Sequence, residues 1–188
     1  MKTQYGFIVN SDRCIGCFTC AMACKNQNQT EPGVKWRDVH PLDESIFPHE
    51  GRAFYSLACN HCAKPCCIEA CPVGAYSKRE KDGIVIHDQN KCIGCQNCIR
   101  SCPFGAPKYN EIKQKAEKCS LCHERVDAGV QPACIQACPT DAIQLININD
   151  ETVKGMIHYP PGFPDTKRLN PSVRFMNPGQ PEVIRRKS

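Results

Sequence analysis

Cysteine is the residue in this chain whose abundance and spacing point to chemistry, and it comes in four groups. The first is Cys14-x₂-Cys17-x₂-Cys20-x₃-Cys24. The second is Cys59-x₂-Cys62-x₄-Cys67-x₃-Cys71-Pro72. The third is Cys92-x₂-Cys95-x₂-Cys98-x₃-Cys102-Pro103. The fourth is Cys119-x₂-Cys122-x₁₁-Cys134-x₃-Cys138-Pro139. Of 17 cysteines only Cys66 stands outside the groups.

Three chemistries compete for such a pattern. A secreted disulfide scaffold needs an export signal, and residues 1–10 contain no apolar run of that type. Thiols this close together also cannot staple distant segments. Structural zinc suits pairs such as Cys14/Cys17 and Cys119/Cys122, but not three cysteines in one tight run with a fourth three residues on. Iron–sulfur ligation calls for that run. Three thiolates come from one turn. The fourth begins a short helix, points away and reaches the neighbouring cluster. The rule assigns four [4Fe–4S] clusters: Cys14, Cys17, Cys20 and Cys138; Cys119, Cys122, Cys134 and Cys24; Cys59, Cys62, Cys67 and Cys102; Cys92, Cys95, Cys98 and Cys71. Each set has four cysteines, so no [3Fe–4S] site is expected. Gly16 and Gly94 would let backbone N–H groups approach sulfur, and Ile15, Ile68, Ile93 and Ile135 would shield the clusters from water.

The elements that must position these ligands repeat. Residues 13–17, Arg-Cys-Ile-Gly-Cys, read like Lys-Cys-Ile-Gly-Cys at 91–95. Residues 65–72 read like 132–139, and that alignment sets Cys66 opposite Ala133, as a small buried filler. Between Cys71 and Cys92, short strands at 75–78 and 84–86 flank Asp82-Gly83, a strong hairpin signal. Bacterial two-cluster ferredoxins join their two groups in this way. Groups two and three are therefore one contiguous unit, and groups one and four must pair around it. The expected fold is α+β: two ferredoxin-like units, one inserted in the other. The first comprises residues 1–58 with 111–158, the second 59–110, and a Pro-rich arm follows at 159–188. Residues 26–54 read as an insertion loop with a strand near 34–39. Prolines bar a helix in the tail, whose Phe163, Val173, Phe175 and Met176 suit an extended arm lying on a partner.

Composition agrees with a scaffold held by something other than a large core. Apolar residues are 41% of the chain, but about 32% once the cysteines are set aside, which is thin for the length. The formal charge of +5 counts thiols as neutral; four clusters of about 2− each bring the loaded chain to about −3, so a nucleic-acid partner is not indicated. No stretch reaches the roughly 18 apolar residues of a membrane span. His61 reads as a packing residue, and 78–81 (Lys-Arg-Glu-Lys) as a solvated turn. No nucleophile–base set and no Gly-rich nucleotide loop can be assembled.

Several segments carry a family resemblance. They are Gln4-Tyr5-Gly6-Phe7, Cys59-Asn60-His61-Cys62, Asp82-Gly83-Ile84-Val85, the run Phe104-Gly105-Ala106-Pro107-Lys108-Tyr109-Asn110, Lys118-Cys119 and Cys122-x₂-Arg125. The chain resembles the iron–sulfur subunits of the dimethyl sulfoxide reductase family of molybdopterin oxidoreductases. The resemblance implies an electron-transfer subunit that links a molybdenum- or tungsten-pterin catalytic subunit, near groups one and four, to a quinone-reactive membrane anchor, near groups two and three. Where nitrate-reductase-like relatives replace one ligand by Trp, this chain keeps Cys. Membrane association would then come through a partner. The alternative location is a soluble cytoplasmic complex, and the other functional reading is a free-standing polyferredoxin serving formate dehydrogenase or hydrogenase.

Overall fold

The structure, a computed structural model, describes residues 3–41, 53–153, 155–158, 163–164 and 166–176. In chain order the elements are β1 (Tyr5–Val9), α1 (Thr19–Asn28), β2 (Asp38–Pro41), β3 (Phe54–Leu57), α2 (Cys66–Glu69), β4 (Tyr76–Lys78), β5 (Val85–His87) and α3 (Asn97–Ser101). Then follow β6 (Lys108–Asn110), β7 (Lys115–Glu117), α4 (His123–Asp127), α5 (Ala133–Gln136), β8 (Ile143–Asn147) and β9 (Val173–Phe175).

β1 is the hub. Its Phe7, Ile8 and Val9 are all buried, as expected of a strand covered on both faces. It pairs antiparallel with β8, Tyr5 opposite Asn147, and parallel with β9, Phe7 opposite Val173. The start of the chain is thereby joined to a strand beyond the fourth cysteine group. Helices pack in the matching way: α1 against α5, and α2 against α3. The Asp82-Gly83 turn connects β4 to β5 with Tyr76 opposite His87. The strand expected near 34–39 lies slightly later, as β2, and pairs with β3; much of the loop between them lies outside the described residues.

The described part of the tail packs on its own chain. Residues 169–172 run along the loop of the second group, where Ala63 N donates to Asn170 O at 2.9 Å and Ser172 N to Asn60 O at 2.8 Å. β9 then enters the sheet with Val173, Arg174 and Phe175 buried. Proline spacing could exclude a helix, but could not show that an extended strand has an open edge in its own chain to join. The Gln4-Tyr5-Gly6-Phe7 motif belongs to this junction. The Gln4 side-chain amide donates to His61 O at 3.2 Å and to Ser172 Oγ at 2.9 Å, and Tyr5 N donates to Asp82 O at 2.8 Å. Residues 177–188 lie outside the described part.

Candidate iron–sulfur sites

The internal repeat of the sequence is a repeat of backbone conformation. Gly16 and Gly94 have φ of 70° and 73°, and Phe18 and Gln96, the residues that lead into α1 and α3, have φ of 59° and 61°. Left-handed geometry at two nearby positions curls each loop so that its cysteines face inward. A side chain at Gly16 would collide with the Phe54 ring at 2.7 Å, and one at Gly94 with Gln114 O at 2.3 Å. The split groups repeat as well: α2 follows Pro65 and α5 follows Pro132. Ala75 N donates to Cys71 Sγ and Ala142 N to Cys138 Sγ, each at 3.3 Å.

Tertiary packing brings cysteines that are distant in sequence near one another. Cys71, Cys92, Cys95 and Cys98 line one pocket together with Tyr76 and His87. Cys59, Cys62, Cys67 and Cys102 line another, beside His61 and Lys118. Cys14 lies near enough to Cys138 and Cys17 for their charges to act on it, and Cys24 is similarly placed beside Cys134, Cys122 and Cys119. Among the described residues, no three Cys, His, Asp or Glu side chains converge tightly enough to hold a single metal ion. The thiols surround spaces instead.

Electrostatics explains why such thiols need a cationic core. Burial, with the charge of Cys134 added, pushes Cys24 up to about 12. Burial and Cys59 push Cys67 up to about 12. Cys62 and Cys119 are pushed up by burial first and by neighbouring cysteines second. Four crowded thiolates repel each other and lose hydration, so they ionise together only around positive charge. Iron supplies that charge, and the N–H···S bonds are in place to help hold it. The residues therefore fit [4Fe–4S] clusters.

Comparison with known proteins decides the family. Residues 52–148 match the family model described as 4Fe-4S dicluster domain. Over 158 residues the sequence is 42% identical to a chain of the anaerobic dimethyl sulfoxide reductase of Escherichia coli strain K12, covering 80% of this protein and 77% of that one. Over 161 residues it is 35% identical to a subunit of the tetrathionate reductase of Salmonella typhimurium, covering 84% and 64%. Over 199 residues it is 27% identical to the iron–sulfur subunit of the arsenate respiratory reductase of Shewanella sp. strain ANA-3, covering 80% and 85%. This protein belongs to the iron–sulfur subunits of the dimethyl sulfoxide reductase family. As such it is an electron-transfer subunit constructed around [4Fe–4S] clusters, with no catalytic site of its own.

In this iron–sulfur subunit, several residues near the sites have partners that only the tertiary structure supplies. His61 is 0% exposed; its Nδ1 accepts the Val85 N–H at 3.0 Å, so the ring proton sits on Nε2. Lys118 is buried beside the Cys59 cavity and its Nζ donates to Val85 O at 2.5 Å and Cys119 O at 2.9 Å. Residues 78–81 are not simply solvated. Lys78 Nζ donates to Cys62 O at 3.0 Å, which ties the hairpin to the ligand loop. Isolated basic residues carry no periodicity, so only their proximity to the cysteine repeat could have flagged them. Two of the four isoleucines differ from the shielding role: Ile15 and Ile93 are each 63% exposed. Cys66 is buried and its thiol donates to Ser101 O at 3.2 Å.

Proposed function

We propose that this subunit carries electrons through four [4Fe–4S] clusters, ordered from the Cys14 site through the Cys119 and Cys59 sites to the Cys92 site. The ligand sets are those assigned by spacing, with Cys24, Cys71, Cys102 and Cys138 each crossing to the paired site. What supports the reading is that all cysteines but Cys66 divide by spacing into four sets, and that cysteines of successive sets lie near each other. Cys20 and Cys134 interact across the first junction, and Cys119 and Cys59 across the second. At the third, Cys67 and Cys98 share one apolar cluster with Tyr76 and Val85. The packing of α1 on α5 and of α2 on α3 supports the nested arrangement of two ferredoxin-like units.

The two ends of this series are the exposed ones. Cys17 is exposed beside Ile15, Phe18 and Met22, and Cys95 is exposed beside Ile93. Apolar side chains left in water next to a terminal electron site suit docking of partner subunits. One partner is a molybdopterin catalytic subunit with molybdenum or tungsten, and the other is a quinone-reactive membrane anchor. No helix among the described residues is long and apolar enough to cross a membrane, so attachment would come through the anchor. Each cluster supplies a one-electron site when bound. The chain's own residues fix the spacing, exclude water and set the local charge.

Anaerobic affinity purification of the tagged chain from its host tests the reading. Expected are co-purification of a molybdopterin subunit, molybdenum or tungsten in the complex, and about sixteen iron and sixteen sulfide per chain. A count near eight iron would refute the four-cluster assignment. Recovery of the fully loaded chain alone would favour a free-standing polyferredoxin.

A further inference from the structure

Arg37 is a fully enclosed cation without a carboxylate partner. It is 2% exposed, and among the described residues no acidic side chain pairs with it. Its Nη1 donates to Ser56 O and Ser56 Oγ, both at 3.1 Å, while Nε and Nη2 are buried with no protein acceptor. The guanidinium carbon lies 4.4 Å from the centre of the Phe7 ring, which offers a weak cation–π contact at most. Burying an isolated charge costs several kcal/mol unless a countercharge is near. Among the described residues none is supplied as a carboxylate.

The countercharge lies in the cysteine sites. Arg37 lies near enough to Cys20 of one set and to Cys24, Cys119 and Cys134 of the next to feel their charge once they are thiolates. Ser56 extends the contact. It is 1% exposed and its Oγ lies 3.2 Å from Cys20 Sγ. Arg37 donates to Oγ, and a thiolate has no proton to give, so the Ser56 hydroxyl proton points to Cys20 sulfur when that sulfur is a ligand.

We infer that Arg37 is the internal counter-cation of the junction between the Cys14 and Cys119 sites, holding both clusters easier to reduce and relaying part of its charge to Cys20 through Ser56. This rests on the ligand sets proposed above. Each cluster gains negative charge when it accepts an electron, and a fixed cation between two such sites stabilises the reduced state of both. The two nitrogens without protein acceptors, Nε and Nη2, can turn their N–H groups to cluster or cysteine sulfur. Removing the charge would leave the electron less stable at that junction while the Cys59 and Cys92 sites keep theirs.

The test is redox titration of the intact complex followed by electron paramagnetic resonance, for Arg37→Gln, Arg37→Lys and Ser56→Ala beside the unaltered protein. Iron and sulfide are counted in each. With Arg37→Gln the two junction clusters should become at least tenfold harder to reduce, about 59 mV for one electron, and the other two should be unmoved. Arg37→Lys should restore most of the loss, and Ser56→Ala should shift the Cys14-site cluster alone, by less. If Arg37→Gln fails to assemble these clusters while Arg37→Lys assembles them at native potentials, the counter-cation role also stands. Unchanged potentials in a fully loaded Arg37→Gln protein overturn it. So does equal damage by Gln and Lys, which marks a shape requirement. An iron count near eight in the unaltered protein would instead overturn the ligand sets.

Discussion

Arg79, at the end of β4, grips both carboxylate oxygens of Asp127 on α4, with Nη1 to Oδ2 at 3.0 Å and Nη2 to Oδ1 at 2.5 Å. The pair ties the hairpin joining groups two and three to a helix inside group four, and Lys81 adds a contact to Asp127 at 2.8 Å. Arg79 first and Lys81 second hold the Asp127 carboxyl well below its usual range. A depressed carboxyl stabilises the folded state above its unfolded value of about 3.9, and that contribution is lost as pH falls through the folded value. Between pH 5 and 8 the group is ionised in both states. Asp127→Asn should therefore lower the melting temperature by an amount that stays constant across that window and shrinks in salt. A gap that opens or closes between pH 5 and 8 would contradict this account of the pair.

The two adjacent cysteines of the second group should behave differently. Cys66 already uses its S–H on Ser101 O at 3.2 Å, whereas Cys67 lines the Cys59 cavity opposite Cys102. Cys66→Ala should keep about sixteen iron and cost about 1 kcal/mol, from a small void and a weak hydrogen bond. Cys67→Ala should lose one cluster, with iron falling toward about twelve. Iron analysis and cluster spectra decide between them. A harmless Cys67→Ala beside a damaging Cys66→Ala would reverse the assignment.

Damage should also follow spatial pairing and not chain order. Cys138 interacts with Cys14, although more than a hundred positions separate them. Cys138→Ser should perturb the spectrum and lower the potential of the cluster bound by Cys14, Cys17 and Cys20. The Cys92-site signal should remain intact. A spectroscopic series in which Cys138→Ser alters the Cys92 signal and spares the Cys14 signal would exclude the nested arrangement.

Gly6 tests the junction of β1 with the tail. A methyl group there would sit 1.9 Å from Ser172 O, a backbone atom that cannot swing aside. That oxygen also accepts the Phe7 N–H at 3.0 Å. Gly6→Ala should destabilise by about 1–3 kcal/mol through forced separation of the strands, and limited proteolysis should cut the tail sooner. Wild-type protease resistance in Gly6→Ala would show that residues 171–176 do not depend on this contact.

Local chemistry was legible in the sequence. The x₂ spacing, the glycine inside each compact group and the Asp-Gly turn act over a few residues, so composition and order are enough to specify them. Gly16 and Gly94 share φ near 70° because only a small residue fits an inward-curling loop. The repeat of 65–72 at 132–139 separated Cys66 from the ligand candidates because both segments carry the same ligand positions.

Long-range approach was decided only by the tertiary structure. Arg37 looks like any surface cation beside Asp38, and its isolation from carboxylates appears only when β3 brings Ser56 over it and the sheet brings Phe7 beneath. The tail reads as an extended arm for a partner, yet β1 offers residues 173–175 an open edge and the Asn60–Cys62 loop offers acceptors. Ile15 and Ile93 read as shields and stand in water. The physical reason is the same in each case. Ligand spacing is a property of neighbours along the chain, whereas burial, charge pairing and exposure depend on which distant segments arrive at the same place.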